Sequence, residues 1–150
     1  MTFEISFSRT IDAPKEFVFD WWTDLSPDDS KLVKPLKARE IISRTPETIV
    51  LRDEEEMYFK RMSFDVKVSL ERPNKWVSEY DGKDAHARSE YVLTSDGSET
   101  TLAYRTRIEP KGFLTSFFSP LAKHFVKRVF YGEMDVFVRE LEKEYRAKTS

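Results

Sequence analysis

The sequence predicts an α+β domain with a seven-stranded antiparallel sheet, a long C-terminal helix and two short helices after the first strand. Three observations predict it. Apolar and polar residues alternate over residues 3–11 and again through much of 37–110, as in strands with one buried face. Short turn sequences separate the later runs, so neighbouring strands must be antiparallel. From position 120 onwards, apolar residues recur at helical spacing.

The first third of the chain contains the first strand and two short helices. The strand is predicted over residues 3–11. Asp12 is then expected to cap a helix whose first turn holds Pro14. Ser26 is expected to cap a second short helix that reaches Lys34 and is terminated by Pro35. The apolar face of the first helix consists of Val18, Phe19, Trp22 and Leu25.

Six further strands are predicted between positions 37 and 110. The Asp-Gly pairs at 81–82 and 96–97 predict tight hairpins, and Thr45-Pro46 and Pro73-Asn74 mark two more turns. Connections this short predict a meander in which consecutive strands pair. The predicted strands are 37–44, 47–54, 57–71, 75–81, 85–95 and 99–109.

The last third of the chain is predicted to be helical. A helix over 120–147 would be about 40 Å long at 1.5 Å per residue, enough to cross the sheet. The apolar segment 112–118 precedes it and predicts one or two helical turns. We expect this segment to form a lid over a cavity or to tuck under the sheet edge, and we consider membrane contact less favoured.

Composition excludes several classes of protein. The 150 residues include 27 acidic and 25 basic side chains and no cysteine. The formal charge of −2 gives no basic field for nucleic acid, and the missing cysteine excludes disulfides, a thiol nucleophile and a thiolate metal cage. We expect one domain over 1–150, located in the cytoplasm, because no linker, membrane-length apolar run or signal-peptide pattern occurs.

Two features of the composition are unusual. Charged residues make up 35%, glutamine is absent, and Asn74 is the single asparagine. Enrichment in charge with depletion of thermolabile residues predicts a thermophilic source. The chain also has 12 Phe, 6 Tyr and 3 Trp although only 39% of its residues are hydrophobic. These rings must either fill the interior or line a cavity in it.

The segment IDAPKEFVFDWWTDL at residues 11–25 carries a family resemblance. It resembles the strand exit and following helix, apolar-x-Ala-Pro-x-x-x-Val-aromatic…Asp, of the helix-grip (SRPBCC) superfamily. That superfamily includes START lipid-transfer domains, the birch-pollen-allergen fold and polyketide cyclases. The resemblance implies a START-like ligand-binding domain over 1–150, in which the curved seven-stranded sheet wraps around the long C-terminal helix with a hydrophobic cavity between them.

Alternation predicts which side chains face that cavity. Four of the inward positions are tyrosines, whose hydroxyls need partners when buried. Several hydroxyls aimed at one ligand would suit a small-molecule site, whereas tyrosines at sheet ends would place their hydroxyls in water. The predicted ligand-binding residues are Phe7, Arg9, Trp22, Tyr58, Met62, Phe64, Trp76, Tyr91, Tyr104, Phe125, Val129 and Glu133.

Two charged residues in that set interrupt apolar faces. Glu133 falls among the valines and phenylalanines of the long helix, and Arg9 occupies an inward position of the first strand. One hypothesis makes both polar groups of the cavity, paired with each other. The alternatives are that the helix overhangs the sheet near Glu133 and that Arg9 extends from a sheet edge. The acidic run 53–56 is predicted to be a solvated hairpin turn rather than a cation site.

We therefore predict binding, and possible transport, of a hydrophobic or aromatic small molecule or lipid. His86 and His124 are predicted to face solvent, and no catalytic motif, cofactor site or metal site is apparent. One alternative is a polyketide cyclase- or dehydratase-like enzyme that uses Glu133 with Tyr104 or Tyr91 as acid and base. Another is an interaction domain with a filled core. The sequence specifies no oligomeric state.

Overall fold

The computed structural model describes residues 2–33, 35–57, 60–117 and 119–149. It contains a seven-stranded antiparallel sheet and a long C-terminal helix, as predicted. The strands are β1 Phe3–Ile11, β2 Leu36–Arg44, β3 Thr48–Met57, β4 Lys60–Glu71, β5 Lys75–Gly82, β6 Ala85–Asp96 and β7 Glu99–Pro110. The helices are α1 Lys15–Thr23 and α2 Pro120–Thr149, with 3₁₀ segments at Pro27–Lys31 and Gly112–Phe117.

Strand pairing follows the chain, which confirms the predicted meander. The order across the sheet is β1-β7-β6-β5-β4-β3-β2, and each neighbouring pair is antiparallel. β1 closes the order by pairing with β7, with Phe7 opposite Tyr104. β1 and β2 are therefore the two edge strands, and β4 to β7 form the middle of the sheet.

The first turns of the short helices differ in how they are capped. Ser26 caps the 3₁₀ segment as predicted, because its hydroxyl accepts a hydrogen bond from the Asp28 N–H at 3.1 Å. The expected capping by Asp12 is wrong. Pro14 is the N-cap of α1 and makes no side-chain cap, while the Asp12 N–H donates to Glu142 Oε2 of α2 at 2.8 Å. That bond connects the β1–α1 junction to the long helix.

The core lies between the inner face of the sheet and one side of α2. From the helix, Val126, Met134, Val138 and Leu141 are buried in it. Phe125 was expected on the same side, but its side chain is 54% exposed. At about 100° per residue, the buried positions 134, 138 and 141 lie on the side of α2 roughly opposite Phe125, so the packed side of the helix faces away from this ring. This ring consequently lies outside the cavity lining.

A membrane-spanning helix must be both long and apolar. Over the described residues, no helix meets both requirements for crossing a bilayer. In α2 the apolar stripe shares the helix with charged residues over its whole length, as expected for a helix that packs on one side.

Candidate functional site

A cavity of about 180 Å³ lies between the inner face of the sheet and the middle of α2. The sheet supplies one wall, α2 the opposite wall, and α1 with the segment leading to β2 closes one side. Glu56 is exposed and also belongs to the lining, which places one end of the cavity at the surface beside β3. The apolar part of the lining includes Trp21, Trp22, Leu25, Val33, Met62, Phe64, Trp76, Ile108, Leu114, Val129, Phe130, Met134 and Phe137.

Aromatic rings form a continuous wall on the side of α1. Trp76 and Tyr91, which are cross-strand partners on β5 and β6, stack with their ring centroids 4.8 Å apart and their planes 11° apart. Trp22 of α1 packs against both, at 6.1 and 6.2 Å, and Phe137 of α2 lies 5.6 Å from Trp22. These contacts fix the rings against one another, and all four side chains belong to the lining of the cavity.

Hydroxyl groups line the floor of the cavity on β6 and β7. The Ser89 and Thr106 hydroxyls are 2.8 Å apart, and the Tyr104 hydroxyl is 3.5 Å from Ser89. Burial raises the pKa of Tyr104 to about 12 against the lowering effect of these hydrogen bonds, and it raises the pKa of Tyr80 and of Tyr91 well above the ordinary value. These three tyrosine hydroxyls are therefore enclosed rather than placed in bulk water.

A buried ion cluster is centred on Arg39 of β2. Its guanidinium donates to both carboxylate oxygens of Asp53, at 2.7 and 2.9 Å, and to Asp29 at 3.0 Å. Asp53 lies directly across from Arg39 on β3, and its side chain is 2% exposed. Burial alone would lower the pKa of Arg39, but the hydrogen bonds and charge of Asp53 raise it. Burial raises the pKa of Asp29 to about 6 although Arg39 acts in the opposite direction.

Two carboxyl groups of the lining lack such a partner. Within the described part of the chain, neither Glu55 of β3 nor Glu133 of α2 forms a hydrogen bond or an ion pair. Burial, with the charges of Asp53 and Glu133, raises the pKa of Glu55 to about 8. Burial raises the pKa of Glu133 to about 7. Both residues are partly exposed, and both line the cavity. Both groups can thus gain or lose a proton near neutral pH.

The structure brings most of the predicted site residues together. The predicted residues that line the cavity are Trp22, Met62, Phe64, Trp76, Tyr91, Tyr104, Val129 and Glu133. Phe7 lies behind this lining, with its ring 5.0 Å from that of Tyr104 and 4.7 Å from that of Tyr131. Phe125 is on the surface, and Tyr58 lies outside the described residues.

The predicted pairing of Arg9 with Glu133 is wrong. The Arg9 Nε lies 2.9 Å from an oxygen of Asp135, and its guanidinium stacks over the rings of Phe7 and Tyr131. Because β1 is an edge strand, the long side chain reaches α2 along the outside of the cavity. This is the edge position that the sequence left open as the alternative for Arg9.

The acidic residues of the site on β3 were not predicted from the sequence. The run 53–56 was expected at a hairpin tip, but it lies inside β3, which continues to Met57. Alternation from the buried Ile49 and Leu51 places Asp53 and Glu55 on the inner face. That period was visible in the sequence, although nothing in it indicated a cross-strand arginine at position 39.

Segment 112–118 contributes to the lining from outside the sheet. Leu114 is buried and faces the cavity, in agreement with the expected lid or tucked arrangement. Phe118 and the side chains of Phe113 and Phe117 lie outside what the structure describes. No histidine is among the lining residues, and the described residues contain no cluster of His, Asp and Glu that could hold a metal ion.

Solved structures of other proteins share this architecture. Zhui aromatase/cyclase from Streptomyces sp. R1128 aligns with 100% of this chain and 97% of its own at TM-score 0.76 and 12% identity. A protein from Thermus thermophilus aligns over 98% and 99% of the two chains at TM-score 0.76 and 18% identity. A STAR-related lipid transfer protein from Xanthomonas axonopodis aligns over 92% and 85% at TM-score 0.75 and 12% identity.

These alignments confirm the helix-grip fold for the chain. No protein-family model matches the sequence, and no curated protein matches it by sequence. At identities this low the likeness establishes the fold and leaves the ligand and any reaction to be argued from the site.

Proposed function

We propose that this protein binds a small, mostly apolar molecule in the cavity between the sheet and α2. The observation that carries the proposal is a cavity of about 180 Å³ whose lining combines a rigid aromatic wall with a few convergent hydroxyl and carboxyl groups. Small-molecule sites typically have this composition, in which apolar surface supplies affinity and polar groups set orientation. A cavity of this size also argues against an interaction domain with a filled core.

The apolar and polar residues of the lining would have different roles in binding. The rings of Trp22, Trp76 and Tyr91 would cover the apolar part of the ligand, at about 25 cal/mol per Å² of apolar surface removed from water. The Tyr104 hydroxyl and the carboxyl group of Glu133 would orient its polar groups. An apolar cavity of about 150 Å³ in another protein holds a benzene molecule, so we expect a ligand of one or two rings.

Native mass spectrometry of the purified protein tests the proposal directly, because a co-purifying ligand appears as an added mass that is lost on activation. Tryptophan fluorescence provides the titration, since Trp21, Trp22 and Trp76, all the tryptophans of the chain, line the cavity. We expect small aromatic compounds to change this fluorescence saturably. An absence of both co-purifying mass and saturable binding would contradict the proposal.

A cavity-filling variant separates the cavity from the surface. Ala87 lines the cavity from β6, so Ala87→Phe should occupy part of the space and weaken binding at least about 10-fold. Ala103 is exposed on the outer face of β7, and Ala103→Phe is the matched control. Equal affinities of the two variants would place the ligand elsewhere.

Catalysis is the second candidate function, because Glu55 and Glu133 combine enclosure with pKa values near 8 and 7. Such carboxyl groups can act as general acid or base at neutral pH. The solved structures with this fold include aromatase/cyclases as well as a lipid transfer protein. A cyclase-like reaction would begin with loss of a proton next to a carbonyl, which makes proton exchange a simple assay.

The assay uses 4-phenyl-2-butanone in D₂O, with exchange at the carbons next to the carbonyl followed by NMR. Catalysis predicts exchange faster than in buffer, and loss of that increase in Glu133→Gln or Glu55→Gln. Glu99→Gln, at the exposed first position of β7, is the control. Binding of the ketone without accelerated exchange would support binding as the function of the cavity.

A further inference from the structure

We propose that the ligand carries a basic nitrogen: the cavity binds a small aromatic amine whose ammonium group pairs with Glu55 and Glu133. This inference rests on the proposed binding function and specifies the chemical class of the ligand. It follows from the charge balance of the cavity, from the aromatic wall, and from the groove that adjoins the cavity.

The charge balance of the cavity is strongly acidic. Among its described lining residues, Arg39 is the sole basic side chain, and its guanidinium is occupied by Asp53 and Asp29. Among the residues that the structure describes, none forms a hydrogen bond or ion pair with Glu55 or Glu133, although the charge of Arg39 acts to lower the pKa of Glu55. The acidic lining residues are Asp29, Asp53, Glu55, Glu56 and Glu133.

Unpaired carboxyl groups in an enclosed space are costly to a protein, and an apolar residue at either position would serve packing better. The two groups lie on opposite walls, Glu55 on β3 and Glu133 on α2. The charge of Glu133 contributes to raising the pKa of Glu55. A cation held in the cavity would lower this repulsion and replace the missing partner of both groups.

The aromatic wall suits the same ligand. Tryptophan and tyrosine rings attract cations, and they do so more strongly when the pair is desolvated. Trp22, Trp76 and Tyr91 pack together and line one cavity. The wall can therefore cover both the ring of an aromatic amine and the carbon atoms next to its nitrogen.

The groove outside the cavity has the same sign of charge. A surface groove of about 640 Å³ runs between α1, the first 3₁₀ segment and the end of α2, and it shares Trp21 and Asp29 with the cavity. One of its two lysines, Lys31, is paired with Asp28 at 3.1 Å. Acid-lined grooves concentrate cations and increase their rate of association. The charged groove residues are Asp20, Asp24, Asp28, Asp29, Glu140, Glu144, Lys31 and Lys148.

The test compares three probes of nearly equal size: 2-phenylethylamine, 2-phenylethanol and phenylacetate. Affinities are measured at pH 8 by tryptophan fluorescence and by calorimetry. We expect the amine to bind at least about 10-fold more tightly than the alcohol, as a charge-assisted hydrogen bond of about 1.5–3 kcal/mol predicts. Phenylacetate should bind most weakly, because it would add a negative charge to an acidic cavity.

Substitutions identify the groups responsible. Glu133→Gln and Glu55→Gln should each weaken binding of the amine at least about 10-fold and leave that of the alcohol within about 2-fold. Both variants imitate the protonated carboxyl in shape and charge, so the fold should tolerate them. Glu99→Gln should leave the affinities for all three probes unchanged.

The pH profile of the unmodified protein gives a second, variant-free measurement. Below pH 7 both carboxyl groups hold protons that the amine must displace, whereas above pH 8 both are ionised. Amine affinity should therefore rise between pH 6 and pH 8.5, since an alkylamine stays protonated up to about pH 10. Alcohol affinity should change little.

Other ionisable groups also lie near the two glutamates. Asp53 and Arg39 remain ion-paired, and Tyr80, Tyr91 and Tyr104 titrate above it. Asp29 titrates at its lower end, with a pKa of about 6. A rise that persists in the Glu133→Gln, Glu55→Gln double variant would mean that another group is responsible and would overturn the assignment.

The outcomes separate this inference from the proposed function. Alcohol and amine binding equally well, or the amine unaffected by both Glu→Gln variants, would overturn the amine assignment and leave small-molecule binding standing. Failure of all three probes to bind would overturn the amine assignment, and together with the absence of a co-purifying ligand in native mass spectrometry it would also overturn the binding function.

Discussion

Two carboxyl groups that lie two residues apart on β3 have opposite surroundings. Asp53 receives two hydrogen bonds from Arg39 across the strand pair, whereas Glu55 receives none from any described residue. Both face inward, so the difference comes from what β2 and α2 place opposite them. Asp53 is consequently part of the structural framework of the cavity, and Glu55 is available to a ligand.

The first prediction concerns Arg39. Arg39→Leu should lower the free energy of unfolding by about 3–5 kcal/mol, because it leaves Asp53 buried and unpaired. Arg52→Leu is the matched control: Arg52 pairs with Asp65 across β3 and β4 in the same way, but both side chains are more than half exposed, and the loss should stay below about 1 kcal/mol. Urea unfolding measures both, and equal losses would contradict the prediction.

The second prediction concerns the pH dependence of stability. The pKa of Glu133 is about 7 in the folded protein and ordinary, near 4.5, when unfolded, so the folded state holds its proton more tightly. Its contribution to the free energy of unfolding is unchanged below about pH 4.5 and becomes increasingly unfavourable as pH rises to about 7. Glu133→Gln should therefore gain melting temperature over the unmodified protein at pH 8 compared with pH 4.5, whereas Glu99→Gln should show no such trend.

At the scale of elements, the glycines of the two Asp-Gly pairs occupy different places relative to the β-turns. Gly97 follows the predicted pattern, since it occupies the β6–β7 turn with φ +66°. Gly82 was expected in a hairpin turn but ends β5, paired with Phe64 of β4. A Cβ atom there would lie 2.7 Å from the carbonyl oxygen of Ser63. The glycine of the Asp-Gly pair at 81–82 thus allows β4 and β5 to approach each other closely just before the turn.

The third prediction compares two Gly→Ala substitutions. Gly82→Ala should destabilise the protein by about 1–3 kcal/mol, because the new methyl group meets backbone that must move. Gly132→Ala lies in α2 with no atom within 4 Å of the new Cβ, and it should stabilise the protein by about 0.5–1 kcal/mol. Urea unfolding with unchanged slopes would measure both. Changes of the same sign would contradict this account.

At the scale of the whole molecule, the convex face of the sheet carries charged side chains that pair across neighbouring strands. Ion pairs join adjacent strands across it at 2.8–3.1 Å. Charged residues thus occupy the solvent face that alternation assigns to them, and the apolar residues are concentrated on the concave side. The pairs that cross between strands are Arg52–Asp65, Arg88–Glu79 and Arg105–Glu4.

The fourth prediction is that the protein unfolds at high temperature. Ion pairs lose less to desolvation as temperature rises, so a charged surface of this kind favours a melting temperature above the range of about 45–65 °C found for mesophilic domains. Scanning calorimetry at low ionic strength measures it, and about 1 M salt should lower it by screening the pairs. A melting temperature inside the mesophilic range would count against the thermophilic origin predicted from composition.

The site shows how far prediction from sequence reached. Alternation identified Met62, Phe64 and Trp76 as inward residues, because a period of two needs only local information. It could not separate Phe7, which lies behind Tyr104, from the residues that reach the cavity. The helical period included Phe125 because Ala122 and Val129 recur at helical spacing from it. The orientation of α2 was decided by contacts at 134, 138 and 141.

The sequence by itself determined the order of elements, the antiparallel meander and the apolar side of each strand, since turn residues and periodicity act over a few neighbouring positions. Only the tertiary structure decided which charges are satisfied. Arg39 pairs with Asp53 and Arg9 with Asp135, while Glu55 and Glu133 are left facing a cavity. Those partnerships depend on strand register and on the rotation of α2, which are set by packing between segments far apart in the chain.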